Sequence, residues 1–155
     1  MKAGGMMDFA SLLKSKNIHV KEIPKGGPDL RKQWEHHFAG HLSEKEKRAI
    51  YLRDRGGCCG FLWHVFSYGK RKCLKGEEAN KAFNEAEKRC CYVFYQHSDD
   101  AFLLENASAL TAADFAGEID VYVVDQKFAW TYVITHETGW LGPYFSRKEE
   151  QESNK

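Results

Sequence analysis

In a chain of 155 residues, chemistry must come from a few side chains, and the histidines and cysteines mark where to look. His37 and His41 stand four apart in "HFAGH", a spacing that can put two imidazoles on one face of a helix. The glutamate of an H-E-x-x-H site is missing and no third ligand follows. A metal at His37 and His41 is therefore set beside a plainer reading, half-buried histidines at a helix–sheet seam. His136 and Glu137 close the alternating run "WTYVITHE". Neighbouring residues on a strand point to opposite faces, so Glu137 is not expected to orient His136.

Thiol catalysis needs a cysteine, a histidine that takes its proton and an acid that orients the imidazole. If the last four strands form a simple meander, the lower sheet edge collects Cys90, Cys91, Asn106, Asp120 and His136. His97 then lies at the opposite end. Cys90, Cys91, Asp120 and His136 are the catalytic candidates on this arrangement, with Glu118 as a second possible acid. Nothing in the sequence shows the exposed, electropositive setting that a reactive thiol requires. Packing as small hydrophobes at a strand start accounts for Cys90 and Cys91 equally well.

A third group is aromatic. In "GWLGPYF", Gly139 and Gly142 permit sharp turns and Pro143 fixes the chain between aromatics. Trp140, Tyr144 and Phe145 either fold over a sheet edge and close the core or stand exposed as anchors for a partner. Phosphate loops, serine-nucleophile elbows and dinucleotide-binding glycines are all missing.

The elements that position these residues follow from periodicity and caps. Asp8 can cap a helix through "FASLLKSKN", and "IHVKEI" alternates as a short strand. Leu30, Trp34, Phe38 and Leu42 recur every four residues, making a helix over 29–41 with one apolar stripe. Ser43 and Glu46 form a capping box that opens the next helix, which must end by Gly56-Gly57. "FLWHVFSY" (61–68) reads as a buried strand, with a short helix as the alternative. "GEEANKAFNEAEKR" is helical, with an acidic start suited to the positive end of the helix dipole. From residue 90 the pattern becomes strands: "CCYVFYQH", "AFLLEN", "DVYVVD" and "WTYVITHE". A short helix capped by Thr111 and Asp114 interrupts them. The links "SDD" and "QKF" are too short for crossovers and make both strand pairs antiparallel. The expected fold is α+β: an antiparallel sheet of about four to six strands in the C-terminal half, packed by helices from the N-terminal half and middle.

Bulk composition excludes several classes. With 23 basic and 22 acidic residues the chain lacks the basic excess of a nucleic-acid binder. No apolar run approaches the ~18 residues of a membrane span, and the N-terminus lacks a signal-peptide core. A cytoplasmic location is the expectation. The cysteines at 58, 59, 73, 90 and 91 make a poor disulfide framework, and no C-x-x-C occurs. Cys58 and Cys59 in "RGGCCG" read as loop residues.

The blocks "LRKQWEHHFAGHLSEKEKRAIYL", "LWHVFSY", "CYVFYQHSDDAFLLENAS" and "DVYVVDQKFAWTYVITHETGWLGPYF" resemble domain-of-unknown-function family 4275. Its members are small proteins of spore-forming Gram-positive bacteria. The resemblance runs over residues 7–147 and implies a single bacterial domain beginning near Met6 or Met7. Residues 1–6 are then a flexible extension, and 148–155 a disordered polar tail. The resemblance brings no catalytic residues and no cofactor. No complete catalytic set assembles, so the expected function is a non-catalytic protein-binding module with an unknown protein partner. An immunity or antitoxin-like inhibitor is one concrete form. The alternative is a small Cys/His-dependent hydrolase or transferase. Neither nucleic acid nor membrane is an expected partner, and no cofactor is expected.

Overall fold

The computed structural model describes residues 9–54, 59–137 and 142–148. In chain order the elements are α1 (Phe9–Ser15), β1 (His19–Glu22), α2 (Gly27–Ala39), α3 (Glu44–Ala49), α4 (His64–Ser67), β2 (Leu74–Lys75) and α5 (Glu77–Glu85). Then follow β3 (Cys90–Tyr95), β4 (Ala101–Glu105), a 3-10 turn at Ala112–Phe115, β5 (Val121–Asp125), β6 (Trp130–Ile134) and β7 (Tyr144–Arg147). The architecture is α+β, as the sequence pattern implies. The strands form one antiparallel sheet of seven, in the order β1-β4-β3-β5-β6-β7-β2. The count exceeds the expected four to six because β7 emerges from the Gly/Pro hook and the two-residue β2 adds beside it.

Helices cover both faces, which is why the central strands are apolar at consecutive positions. Val121 and Val123 point into one core with Leu13, Phe83 and Trp130. Tyr122 and Val124 point into the other with Trp34, Phe66 and Tyr144. Alternation along the strand is therefore between two cores, not between core and water. On the first face α5 buries Ala79, Ala82 and Phe83, and the Phe83 ring stacks on Tyr132 with centroids 4.2 Å apart. Lys88 closes this helix: its Nζ donates to the carbonyls of Phe83 (2.6 Å) and Ala86 (2.9 Å), a cation on the negative helix end. Burial holds its pKa below the ordinary lysine value. On the second face, Trp34 of α2 donates its indole N–H to Thr131 Oγ1 at 2.8 Å, tying helix to sheet.

Strand order departs from a meander, and the departure matters for the site. After β4 the chain crosses β3 and lays β5 on its other side. β5 thus runs in the direction of β4, and β6 returns to the end where β3 finishes. The register is direct: Tyr95 pairs with Val121, and Val121 with Ile134. His97 and His136 consequently leave the sheet at the same end, where the meander places them at opposite ends.

Three local expectations also change. The segment 61–68 is not a strand but contains α4, because Leu62, Trp63, Val65 and Phe66 are the buried positions, a helical spacing. Helix α2 stops at Ala39, with Gly40 as its cap, so His41 lies beyond it. Cys59 is disulfide-bonded, against the expectation of no bridge, whereas Cys73, Cys90 and Cys91 are free thiols. Cys58, the extension 1–6 and residues 149–155 of the tail lie outside the described residues. Lys148 is described, its backbone N–H bonded to the Ala129 carbonyl at 2.9 Å. Among the described residues no helix is long and apolar enough to cross a membrane.

Candidate functional site

The sheet end that holds Tyr95, Ala101, Val121 and Ile134 is called the upper end here. Asp120 enters β5 from it, with φ at +51°, a left-handed conformation that Asp tolerates better than most residues. That turn makes Asp120 a hub. Its carbonyl accepts the Gln96 N–H at 3.0 Å. Its Oδ1 accepts the His136 backbone N–H (3.1 Å) and the Trp63 indole N–H (3.2 Å). Both carboxylate oxygens lie 3.0 Å from His136 Nδ1, in reach of a hydrogen bond donated from that nitrogen. The other ring nitrogen, Nε2, stands 3.3 Å from Glu137 Oε2.

Phe61 sits at the centre of this end. Its ring centroid lies 5.2 Å from His97, 5.2 Å from His136 and 5.5 Å from His64, and it stacks on Trp63 at 5.1 Å. Beneath the rings the backbone is anchored to the core. Tyr122 Oη accepts the Trp63 N–H at 3.1 Å, and Gln96 Oε1 accepts the Leu62 N–H at 2.9 Å. The Tyr122 hydroxyl donates to the same Gln96 oxygen, and complete burial raises its pKa well above the ordinary tyrosine value. The result is a platform of rings on a rigid support.

His64 extends the platform outwards. Its Nδ1 donates to the Tyr51 carbonyl at 2.9 Å, and its ring meets Tyr68 edge-on at 5.3 Å. Tyr51 is 50% exposed, Tyr68 48% and Ile119, next to Asp120, 60%; these are the exposed large hydrophobics among the described residues. All three border the upper end. Hollows flank it as well. A groove of about 770 Å³ runs from α2 past Arg53 to His97, and one of about 480 Å³ lies between Ile119, His136 and Pro143.

The residues singled out in the sequence distribute differently. Asp120 and His136 meet, but Cys90 and Cys91 start β3 at the lower end, where Cys91 pairs with Asp125. The length of β3 puts the cysteines on the order of 15 Å from the imidazole. Cys91 is fully buried, and burial pushes its thiol up to about 12. The thiol grouping is therefore not assembled. Glu137, assigned to the opposite face from His136, lies beside it because both residues sit in the turn beyond β6, where strand alternation has ended.

His37 stacks on Phe128 at 4.5 Å and accepts from Lys148 Nζ at 2.7 Å. Burial and the neighbouring Lys148 charge lower its pKa. The His41 Nε2 bonds the Lys70 carbonyl at 2.7 Å. Each has its own partner, and no group of three His, Cys, Asp or Glu among the described residues could hold a metal. Tyr144 and Phe145 are 1% and 0% exposed, one in each core, and offer no docking surface. Trp140 lies outside the described residues. Sequence reasoning missed Phe61, His64, His97, Tyr51 and Tyr68 as a group. The one available signal was the two-aromatic, one-histidine run "FLWH", and reading it as a strand hid its role.

No curated protein and no solved structure matches this chain. Residues 7–145 match the family described as "Domain of unknown function (DUF4275)", and the chain therefore belongs to that family.

Proposed function

We propose that this domain is a non-catalytic protein-binding module that contacts its partner with the upper end of the sheet. The observation that carries the reading is the placement of Tyr51, Tyr68 and Ile119, exposed around the Phe61–His64 platform. Tyrosines are favoured interface anchors because they offer large amphipathic area at small entropic cost. The support beneath them, from Tyr122, Gln96 and Asp120, holds the platform in one arrangement before binding. An inhibitor of immunity or antitoxin type, which covers a partner's working surface, is one concrete form. A thiol-dependent hydrolase or transferase has less behind it, since Cys91 is buried far from His136.

The test is retrieval of a partner from the native host with wild-type protein and with a Tyr51→Ser/Tyr68→Ser double variant. Binding is then reconstituted from the purified pair and measured by calorimetry. A defined partner held by the wild type and weakened at least tenfold by the double variant is the expected result. Recovery of free protein alone, or equal binding by both, would refute the proposal.

A further inference from the structure

We infer that the groove beside the platform is a carboxylate-binding subsite, centred on Arg31, that takes an acidic segment of the protein partner. The inference rests on the binding role proposed above and adds its ligand chemistry. Arg31 projects from the second turn of α2 and is half-buried. Its Nη1 donates to the carbonyls of Tyr95 (2.8 Å) and Ser98 (2.7 Å) in the β3–β4 turn, which fixes the plane of the guanidinium. The Nε–Nη2 edge, the side that grips a carboxylate with two parallel bonds, has no partner among the described residues.

Arg53, in the same groove, shows what saturation looks like. Its Nε–Nη2 edge grips Glu35 and its Nη1–Nη2 edge grips Glu44. Lys47 shares Glu35 at 2.9 Å, so that carboxylate is fully committed. Asp54 accepts the Gly60 N–H at 2.9 Å and lies 3.7 Å from His97. Asp99 is the remaining acid on the groove wall; its side chain is exposed and its carbonyl accepts the Gly27 N–H at 3.0 Å. Among the described residues two guanidinium groups thus line one groove, one clasped by two carboxylates and the other by none.

A guanidinium partly out of water and without an acid attracts an anion more strongly than one in bulk solvent. The acids already on the groove wall disfavour a dianionic phosphate relative to a single carboxylate. The groove also opens onto the platform, since His97 lines it and contacts Phe61. At about 770 Å³ it accommodates several residues of an extended chain. A partner segment lying there would present a Glu or Asp to Arg31 while its flank meets the exposed tyrosines.

The experiment follows the side-chain Nε–H resonance of Arg31 in ¹⁵N-labelled protein. Three probes are titrated: the blocked peptide acetyl-Gly-Glu-Gly-Glu-Gly-amide, its Gln counterpart, and inorganic phosphate. The expected result is a saturable Arg31 shift with the Glu peptide, none with the Gln peptide, and weaker binding of phosphate. Arg31→Lys, which keeps the charge and loses the fork, should weaken the Glu peptide about tenfold. A Lys32→Glu/His36→Glu variant, which leaves the Arg31 carbonyl bonds intact, should weaken it as well. No shift at millimolar Glu peptide, an equal response to the Gln peptide, tighter phosphate binding, or unchanged affinity in Arg31→Lys overturns the subsite. If Arg31→Lys keeps the native partner while Tyr51→Ser/Tyr68→Ser loses it, the groove inference falls and the platform stands.

Discussion

Replacing Tyr122 by Phe removes one oxygen from the support of the platform and nothing else. The Tyr122 ring stacks on Phe94 at 5.1 Å and meets Trp34 edge-on at 5.3 Å, and Phe keeps both contacts. What is lost is the acceptor for the Trp63 backbone N–H, in a fully buried position, together with the hydroxyl's own bond to Gln96 Oε1. Gln96 Oε1 retains the Leu62 N–H, so one buried donor is orphaned. An orphaned buried N–H costs about 1–3 kcal/mol, and about 2 kcal/mol is expected here. For 155 residues the unfolding entropy is about 0.3 kcal/mol per degree, so Tm should fall by about 6 °C. Tyr132→Phe is the matched control. Its hydroxyl donates to Asn80 Oδ1 at 2.5 Å, but Asn80 is partly exposed and water can replace the bond, so under about 1 kcal/mol is expected. Urea unfolding of both variants, with amide exchange at Trp63, makes the comparison. Equal losses in the two, or a Tyr122→Phe protein within about 0.5 kcal/mol of wild type, would refute the argument that Tyr122 anchors the platform.

Further predictions concern charge, backbone and thiols. Burial works against the Glu35 carboxylate, but hydrogen bonds from Arg53 and Lys47 outweigh it and hold its pKa below the ordinary 4.5. That stabilisation is present above the ordinary carboxylate pKa and is lost as pH falls through the lower folded value. Glu35→Gln should therefore cost about 1–2 kcal/mol at neutral pH and flatten the acid limb of the urea midpoint between about pH 5 and 3; an unchanged limb contradicts this. Gly142 has φ at +97°, and an added Cβ would meet the Tyr144 ring at 3.2 Å and Thr135 Cγ2 at 3.3 Å. Gly142→Ala should lose about 2 kcal/mol by thermal or urea unfolding, and a neutral substitution would show that the turn relaxes. Cys91, fully buried with its thiol pushed up to about 12, should resist iodoacetamide at pH 8 in the folded protein and react on unfolding. Mass spectrometry of the alkylated peptides would expose an error if Cys91 reacts in the native state.

Local signals in the sequence were strong where a single side chain decides the outcome. Ser43 and Glu46 form their reciprocal box, and Asp114 accepts the Thr111 backbone N–H, at the positions where such pairs open helices. Helix α5 and strands β3 to β6 follow from periodicity and strong propensities. The α4 segment misled because an apolar run carries no period of its own: with nearly every residue of 61–68 apolar, the sequence does not show that only 62, 63, 65 and 66 are buried. Backbone bonds within 61–70 close its turns, and the acceptors on Tyr122 and Gln96, distant in sequence, anchor them to the core. The site was less legible for a topological reason. Asp120 and His136 were named, but sharing an end with His97 depends on β5 lying beside β3 instead of β4. No residue type in the 106–120 link announces that choice.

The strand order also bears on how the chain comes off the ribosome. β1 and β2, the only strands before residue 90 among the described residues, are the two outermost strands of the finished sheet. Their partners, β4 and β7, are synthesised far later. Until β3 to β6 exist, α1, α2 and α4 have no surface on which to bury Leu13, Trp34 and Phe66. The first half of the polypeptide must therefore stay unconsolidated, and the central strands form the template onto which it condenses from both sides. Contacts of such long sequence separation predict slow folding relative to helical proteins of this size. They also make the nascent N-terminal half, with its unburied aromatics, the stretch most dependent on chaperones.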